Sequence, residues 1–158
     1  MNGNDSPRGS HPHSTAKIAD HPIHPMLVPF PIVCFVGAFV TDLVFTRNGD
    51  PGWATASNWL LIVGLVMAAL AAVAGLADFL GDDRIRKLGD AVKHMLANVT
   101  AVVLEVVNLV LRLRDPAFVE STGIYISGIV VLILLYSGWK GGDLVYRHGV
   151  GVRDTSNL

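Results

Sequence analysis

Four long apolar stretches alternate with short polar ones along the chain. A helix needs about 20 apolar residues to cross the hydrocarbon core of a bilayer. The pattern predicts four such spans, at about residues 26–45, 59–80, 95–111 and 124–139. The connections fall at about residues 46–58, 81–93 and 112–123. With so little chain to spare, neighbouring spans are expected to pack as antiparallel hairpins. The predicted fold class is therefore all-α: a polytopic membrane protein, a four-transmembrane-helix antiparallel bundle with short loops.

Two spans carry further pattern. In the second, Gly64, Ala68, Ala71 and Gly75 recur at helical spacing and predict a small-residue face for close helix approach. The third carries a polar stripe: His94, Asn98, Glu105, Asn108 and Arg112 follow one another at helical spacings, with Ala101 filling the gap. At 100° per residue they lie within about 40° of one line, and the stripe runs about 27 Å. Glu105 falls near mid-membrane, where a carboxylate is expensive unless paired or protonated. Asp42, near the far end of the first span, is the second intramembrane acid. One reading is a proton or ion route with Glu105 as a titrating relay. The other is an interhelical hydrogen-bond ladder that holds helices together.

Composition fits a membrane chain. Of 158 residues, 51% are hydrophobic and only 16% charged, against about 25% charged in a soluble domain. A net charge of −1 does not suggest nucleic-acid binding, and the lone Cys34 cannot form an intrachain disulfide. Residues 1–19 are polar, lack a secretory signal and are expected to form a disordered tail. The transmembrane domain is expected over 20–152, with a short C-terminal tail at 153–158.

Charge placement sets the orientation. Four spans put both termini and the loop between spans two and three on one side, with Arg8, Lys17, Arg84, Arg86, Lys87, Lys93, Lys140, Arg147 and Arg153. The other side holds only Arg47, Arg112 and Arg114. The positive-inside rule then predicts cytoplasmic termini, in a bacterial inner membrane.

That topology gathers histidines. The first span opens HPIHPMLVPFPI, in which Pro29 and Pro31 are expected to loosen the first turns and hold His21 and His24 over the bundle end. His94 begins span three and His148 follows span four, so four imidazoles are expected at one membrane face. His11 and His13 lie in the tail as bystanders. Asp78, near the same end of span two, is a candidate fifth member. Neutral imidazole is a common ligand for transition metals and haem iron, and His24 with His94 would supply a bis-histidine pair. The competing reading is that interfacial histidines cap helices or meet lipid headgroups.

Several blocks together resemble one bacterial family. HPIHPMLVPFPI, Asp42, GLADFL at 75–80, HMLAN with His94 and Asn98, and GGDLVYRHGVGV at 141–152 are similar to the integral-membrane family known as domain of unknown function 2231. The resemblance implies a four-helix inner-membrane domain without an assigned reaction. Related domains occur fused to Rieske-type iron–sulfur or cytochrome modules, which implies a redox association. By position it marks His21, His24, Asp42, Asp78, His94, Asn98, Tyr146, Arg147 and His148. This chain carries no fused redox domain, so electron exchange would need a separate partner.

Three functions follow as expectations. The first is a redox-associated module binding b-type haem or a transition metal through His21, His24, His94 and His148, with Asp78 at a metal. Its partners would be quinone or a separate redox protein. The second is a proton-coupled transporter or channel subunit using Asp42, Asn98, Glu105, Asn108 and Arg112, acting as a homo-oligomer in the lipid bilayer. The third is a non-catalytic membrane scaffold. No Ser-His-Asp order, phosphate loop or HExxH appears, so no hydrolase or transferase motif is present and no catalytic residue is assigned.

Overall fold

The computed structural model describes residues 12, 14–19 and 21–152. His11, His13 and the C-terminal tail at 153–158 lie outside the described residues. The described chain opens with a small antiparallel hairpin, β1 (Lys17–Ile18) against β2 (His21–Pro22), with Lys17 opposite Pro22. It runs directly into α1 (Ile23–Leu27) and, after Val28, into α2 (Pro29–Asn48). Val28 keeps helical angles, φ −54° and ψ −36°, and its N–H bonds to the His24 carbonyl at 3.1 Å. Pro29 and Pro31 have no N–H to continue that ladder. The expected loosening is thus confined to a short break that sets the five-residue α1 apart from α2.

The remaining elements are closely spaced. Gly49 adopts φ 68°, a left-handed helix end that glycine takes without a Cβ clash, and its N–H reaches Phe45 O at 2.8 Å. Asp50 then caps α3 (Pro51–Gly81), accepting from the Gly52 N–H at 2.9 Å, with Pro51 in the first helical position. The loop expected over 46–58 is therefore mostly helix. The 31 residues of α3 rise about 46 Å, more than the roughly 30 Å hydrocarbon core. A short α4 (Asp83–Arg86), capped by Asp82, turns the chain into α5 (Gly89–Arg114). A π-helical turn, Val119–Gly123, leads into α6 (Ile124–Tyr146).

The long helices close a ring in which α2 packs on α3 and α6, and α5 packs on α3 and α6. Phe35, Ala38, Leu61, Ala68, Ala101 and Val130 form the buried apolar core. Large apolar side chains such as Val33, Val73, Leu132 and Leu135 point outward. That pattern suits lipid, which does not drive helices together by hydrophobicity and rewards close packing of small residues instead. Four helices are long and apolar enough to cross a membrane. The molecule is an all-α polytopic membrane protein.

The small-residue face works as packing. Gly64, Ala68 and Ala71 are buried, and a Cβ on Gly64 would lie 2.6 Å from Phe35 Cε1 and 2.9 Å from Cys34 Cβ. Gly64→Ala should therefore destabilise the bundle by about 1–3 kcal/mol through overpacking, read as a lower unfolding midpoint in detergent micelles. Gly89→Ala, where nothing lies within 4 Å of the added carbon, is the control. Equal midpoints for the two variants would contradict the close α2–α3 approach.

Candidate functional site

The bundle has two ends. The β1–β2 hairpin, α1, α4 and the end of α6 mark the terminal end, and the tight α2–α3 and α5–α6 connections mark the hairpin end. Each end holds its own polar cluster.

At the terminal end, His24 of α1 and His94 of α5 approach with ring centroids 6.1 Å apart and planes at 88°. His24 Nδ1 donates to the Ala71 carbonyl at 2.8 Å and His94 Nδ1 to the Ser137 carbonyl at 2.8 Å. A carbonyl only accepts, so each Nδ1 carries a proton. The Asn98 amide donates to His94 Nε2 at 3.1 Å and to Ser137 Oγ at 2.7 Å. Two glycines make room for the rings. A Cβ on Gly75 would sit 2.8 Å from His24 Nδ1, and one on Gly141 would sit 3.2 Å from His94 Cε1.

The other expected ligands do not join this pair. His21 is exposed and bonds the Ala19 carbonyl of its own hairpin at 2.8 Å. His148 Nε2 meets Asp90 Oδ2 at 3.2 Å. Asp90 also takes Lys140 at 3.1 Å, and Lys140 bridges on to Asp143 at 3.0 Å. Arg147 reaches Asp143 at 3.6 Å, while Tyr146 is almost fully exposed. Asp78 holds the N-terminal segment instead: its Oδ1 accepts from Ser14 Oγ at 2.8 Å and from the N–H groups of Thr15 and Ala16 at 2.7 and 2.8 Å. Among the described residues no group of three or more His, Cys, Asp or Glu is arranged to hold a metal ion. The expected four-histidine group with Asp78 is thus corrected to a two-histidine pair, because backbone carbonyls, Asp90 and the N-terminal strap claim the other polar groups. Residues 14–19, assigned by composition to the tail, form this strap and β1.

At the hairpin end all four long helices meet around one ion pair. Arg112 of α5 and Asp42 of α2 are buried and bonded in two places: Nη1 to Oδ1 at 2.8 Å and Nη2 to Oδ2 at 2.5 Å. Arg112 Nη1 also donates to Ser57 Oγ of α3 at 2.8 Å and Nη2 to Ser127 Oγ of α6 at 3.0 Å. Its Nε donates to Asn108 Oδ1 at 2.8 Å. All five guanidinium N–H groups are therefore engaged. Asp42 takes two further bonds, from Ser57 at 2.6 Å and Ser127 at 3.0 Å. Asn108 Nδ2 donates to Glu105 Oε2 at 2.9 Å and to Ser127 Oγ at 3.1 Å. Glu105 Oε1 is buried with no hydrogen-bond partner among the described residues.

The α5 stripe thus divides. Asn98 and His94 belong to the terminal cluster, whereas Glu105, Asn108 and Arg112 belong to the hairpin cluster. Ala101 between them sits in the apolar core with Phe35, Leu61 and Val130.

The family model described as "Predicted membrane protein (DUF2231)" matches residues 20–154. The chain belongs to this family. No curated protein and no solved structure matches it. In this family member the blocks that carry the resemblance are also those that place His24, Asp42, His94 and Asn98 in the two clusters.

Sequence reasoning missed Ser57, Ser127 and Ser137, and the pairing of Asp42 with Arg112. The available signal was weak: a serine inside an apolar helix must bond something, since lipid offers no partner. Two predictions follow from the geometry. Asp42→Asn and Arg112→Gln should each destabilise the protein by about 3–5 kcal/mol, because one buried charge is left unpaired. The double variant should lose less than the sum in denaturant titrations, and strictly additive losses would refute the pairing. Asp78→Ala should release the strap, so that trypsin cleaves after Lys17 faster than in wild type. Equal cleavage rates would count against the strap.

Proposed function

We propose that the protein is a membrane redox module that takes one b-type haem at His24 and His94. The observation that carries this reading is the histidine pair itself, two imidazoles from α1 and α5 with each Nδ1 fixed on a backbone carbonyl. Outer hydrogen bonds of this kind set the tautomer and ring orientation of ligating histidines. The 6.1 Å between centroids is on the scale of two metal–nitrogen bonds of about 2 Å plus the inner halves of two rings.

The donor set favours haem over a bare ion. A bare transition metal needs more protein ligands than two, whereas a porphyrin brings its own equatorial nitrogens and asks only for axial groups. Gly75 and Gly141 let each imidazole seat close against a helix, on the side of its Nδ1. Bound there, haem would supply one-electron transfer to a quinone in the bilayer or to a separate redox protein. The Ser137 carbonyl would hold His94 in its ligating orientation, and the Asn98 amide, which donates to Nε2, would give up that bond to the iron. The excess of Lys and Arg on the terminal side supports a bacterial inner membrane with that side cytoplasmic.

The test is the visible spectrum of the full chain, produced in haem-supplied cells and purified in detergent. The expected result is a b-type spectrum in wild type, lost in both His24→Ala and His94→Ala and retained in His21→Ala. A folded, colourless wild-type protein would overturn the proposal.

A further inference from the structure

The second cluster points to a site of a different kind. Glu105 is fully buried in α5, one turn from Asn108. Its Oε2 accepts from Asn108, but its Oε1 meets no donor among the described residues. The donors around it are spent. The five N–H groups of Arg112 go to Asp42, Ser57, Ser127 and Asn108. Both amide hydrogens of Asn108 go to Glu105 and Ser127, and the hydroxyls of Ser57 and Ser127 turn to Asp42.

Charge counting leads the same way. The groups that face one another here are Asp42 from α2, Ser57 from α3, Glu105, Asn108 and Arg112 from α5, and Ser127 from α6. They hold one cation and two acids. Arg112 and Asp42 cancel, so an ionised Glu105 would leave a net charge buried in the low-dielectric bundle with one oxygen unbonded. Hydrocarbon surroundings make that arrangement costly, and a proton on Glu105 removes the charge.

The surroundings also bound the site. Towards the terminal end, the apolar side chains of Ala101, Phe35, Leu61, Ala68 and Val130 fill the bundle. Towards the hairpin end, hydrogen bonds run from Glu105 through Asn108 to Arg112, which lies two residues from the end of α5. We propose that Glu105 is a membrane-embedded proton-binding site that takes up and releases its proton at Oε1, since Oε2 already accepts from Asn108. This is independent of the haem reading. It replaces a wire across the whole membrane with a single buried proton site.

The chain contains only two glutamates, Glu105 and Glu120, and Glu120 is exposed. Carboxyl-13C glutamate therefore gives a clean infrared probe. In the full-length protein reconstituted in lipid at neutral pH, one isotope-sensitive carbonyl stretch of a protonated acid is expected. It should shift in D2O, vanish in Glu105→Gln and persist in Glu120→Gln. Asn108→Leu should keep the band but move it to higher frequency, because the carbonyl oxygen Oε2 loses its hydrogen bond. A wild-type spectrum with carboxylate bands alone overturns the proposal whatever the variants do. So does a protonated-acid band that never shifts in D2O, and an unmoved band in folded Asn108→Leu overturns the placement of the proton on Oε1.

Discussion

The ion pair between Arg112 and Asp42 is the constraint around which the bundle is arranged. A guanidinium and a carboxylate taken out of water lose hydration, which their mutual attraction offsets only with near-complete hydrogen bonding. Here that requirement recruits every long helix. Arg112 and Asp42 come from α5 and α2, and Ser57 and Ser127 from the first two turns of α3 and α6. A residue near the end of one helix can meet a residue near the start of its neighbour only if neighbours run antiparallel. The network therefore fixes direction, register and rotation of four helices at once. Arginine suits the role because its planar fork reaches several acceptors in one geometry, which a lysine ammonium cannot reproduce.

The terminal end is built by a different rule. Its histidines are half-buried and rest on helix carbonyls rather than on a counter-charge. The proline break after α1 sets His24 on a short separate helix that lies against α3, where Gly75 admits the ring. Asp78 closes the same end by gathering three donors from the strap. Between the two ends, small and apolar residues bring the helix backbones close. The division explains how one helix face serves two unrelated clusters. Position on a helical wheel records angle and says nothing about whether consecutive polar groups are bonded to one another.

Much of this was legible in the residues. Four apolar runs of membrane length, short connections and the small-residue face of α3 all depend on local composition and spacing, which lipid reads directly. Span ends were less legible, since Pro51, a strong helix starter, extends α3 well back into the expected loop. The gathering of histidines at one end followed from topology, but their partners did not. His21, His148 and Asp78 lie at the expected end and are each engaged elsewhere.

Sequence by itself determined the fold class, the family, the number of spans and the end of the bundle at which each polar residue lies. These follow from hydropathy and helical period, which are properties of neighbouring residues. Only the tertiary structure decided that Asp42 meets Arg112, that His24 meets His94 and not His148, and that Glu105 keeps one oxygen unbonded. Those outcomes depend on the rotation and depth of each helix against the others, set by side-chain packing and donor count across residues as far apart as 42 and 112. Such distances lie beyond the reach of any local pattern in the chain.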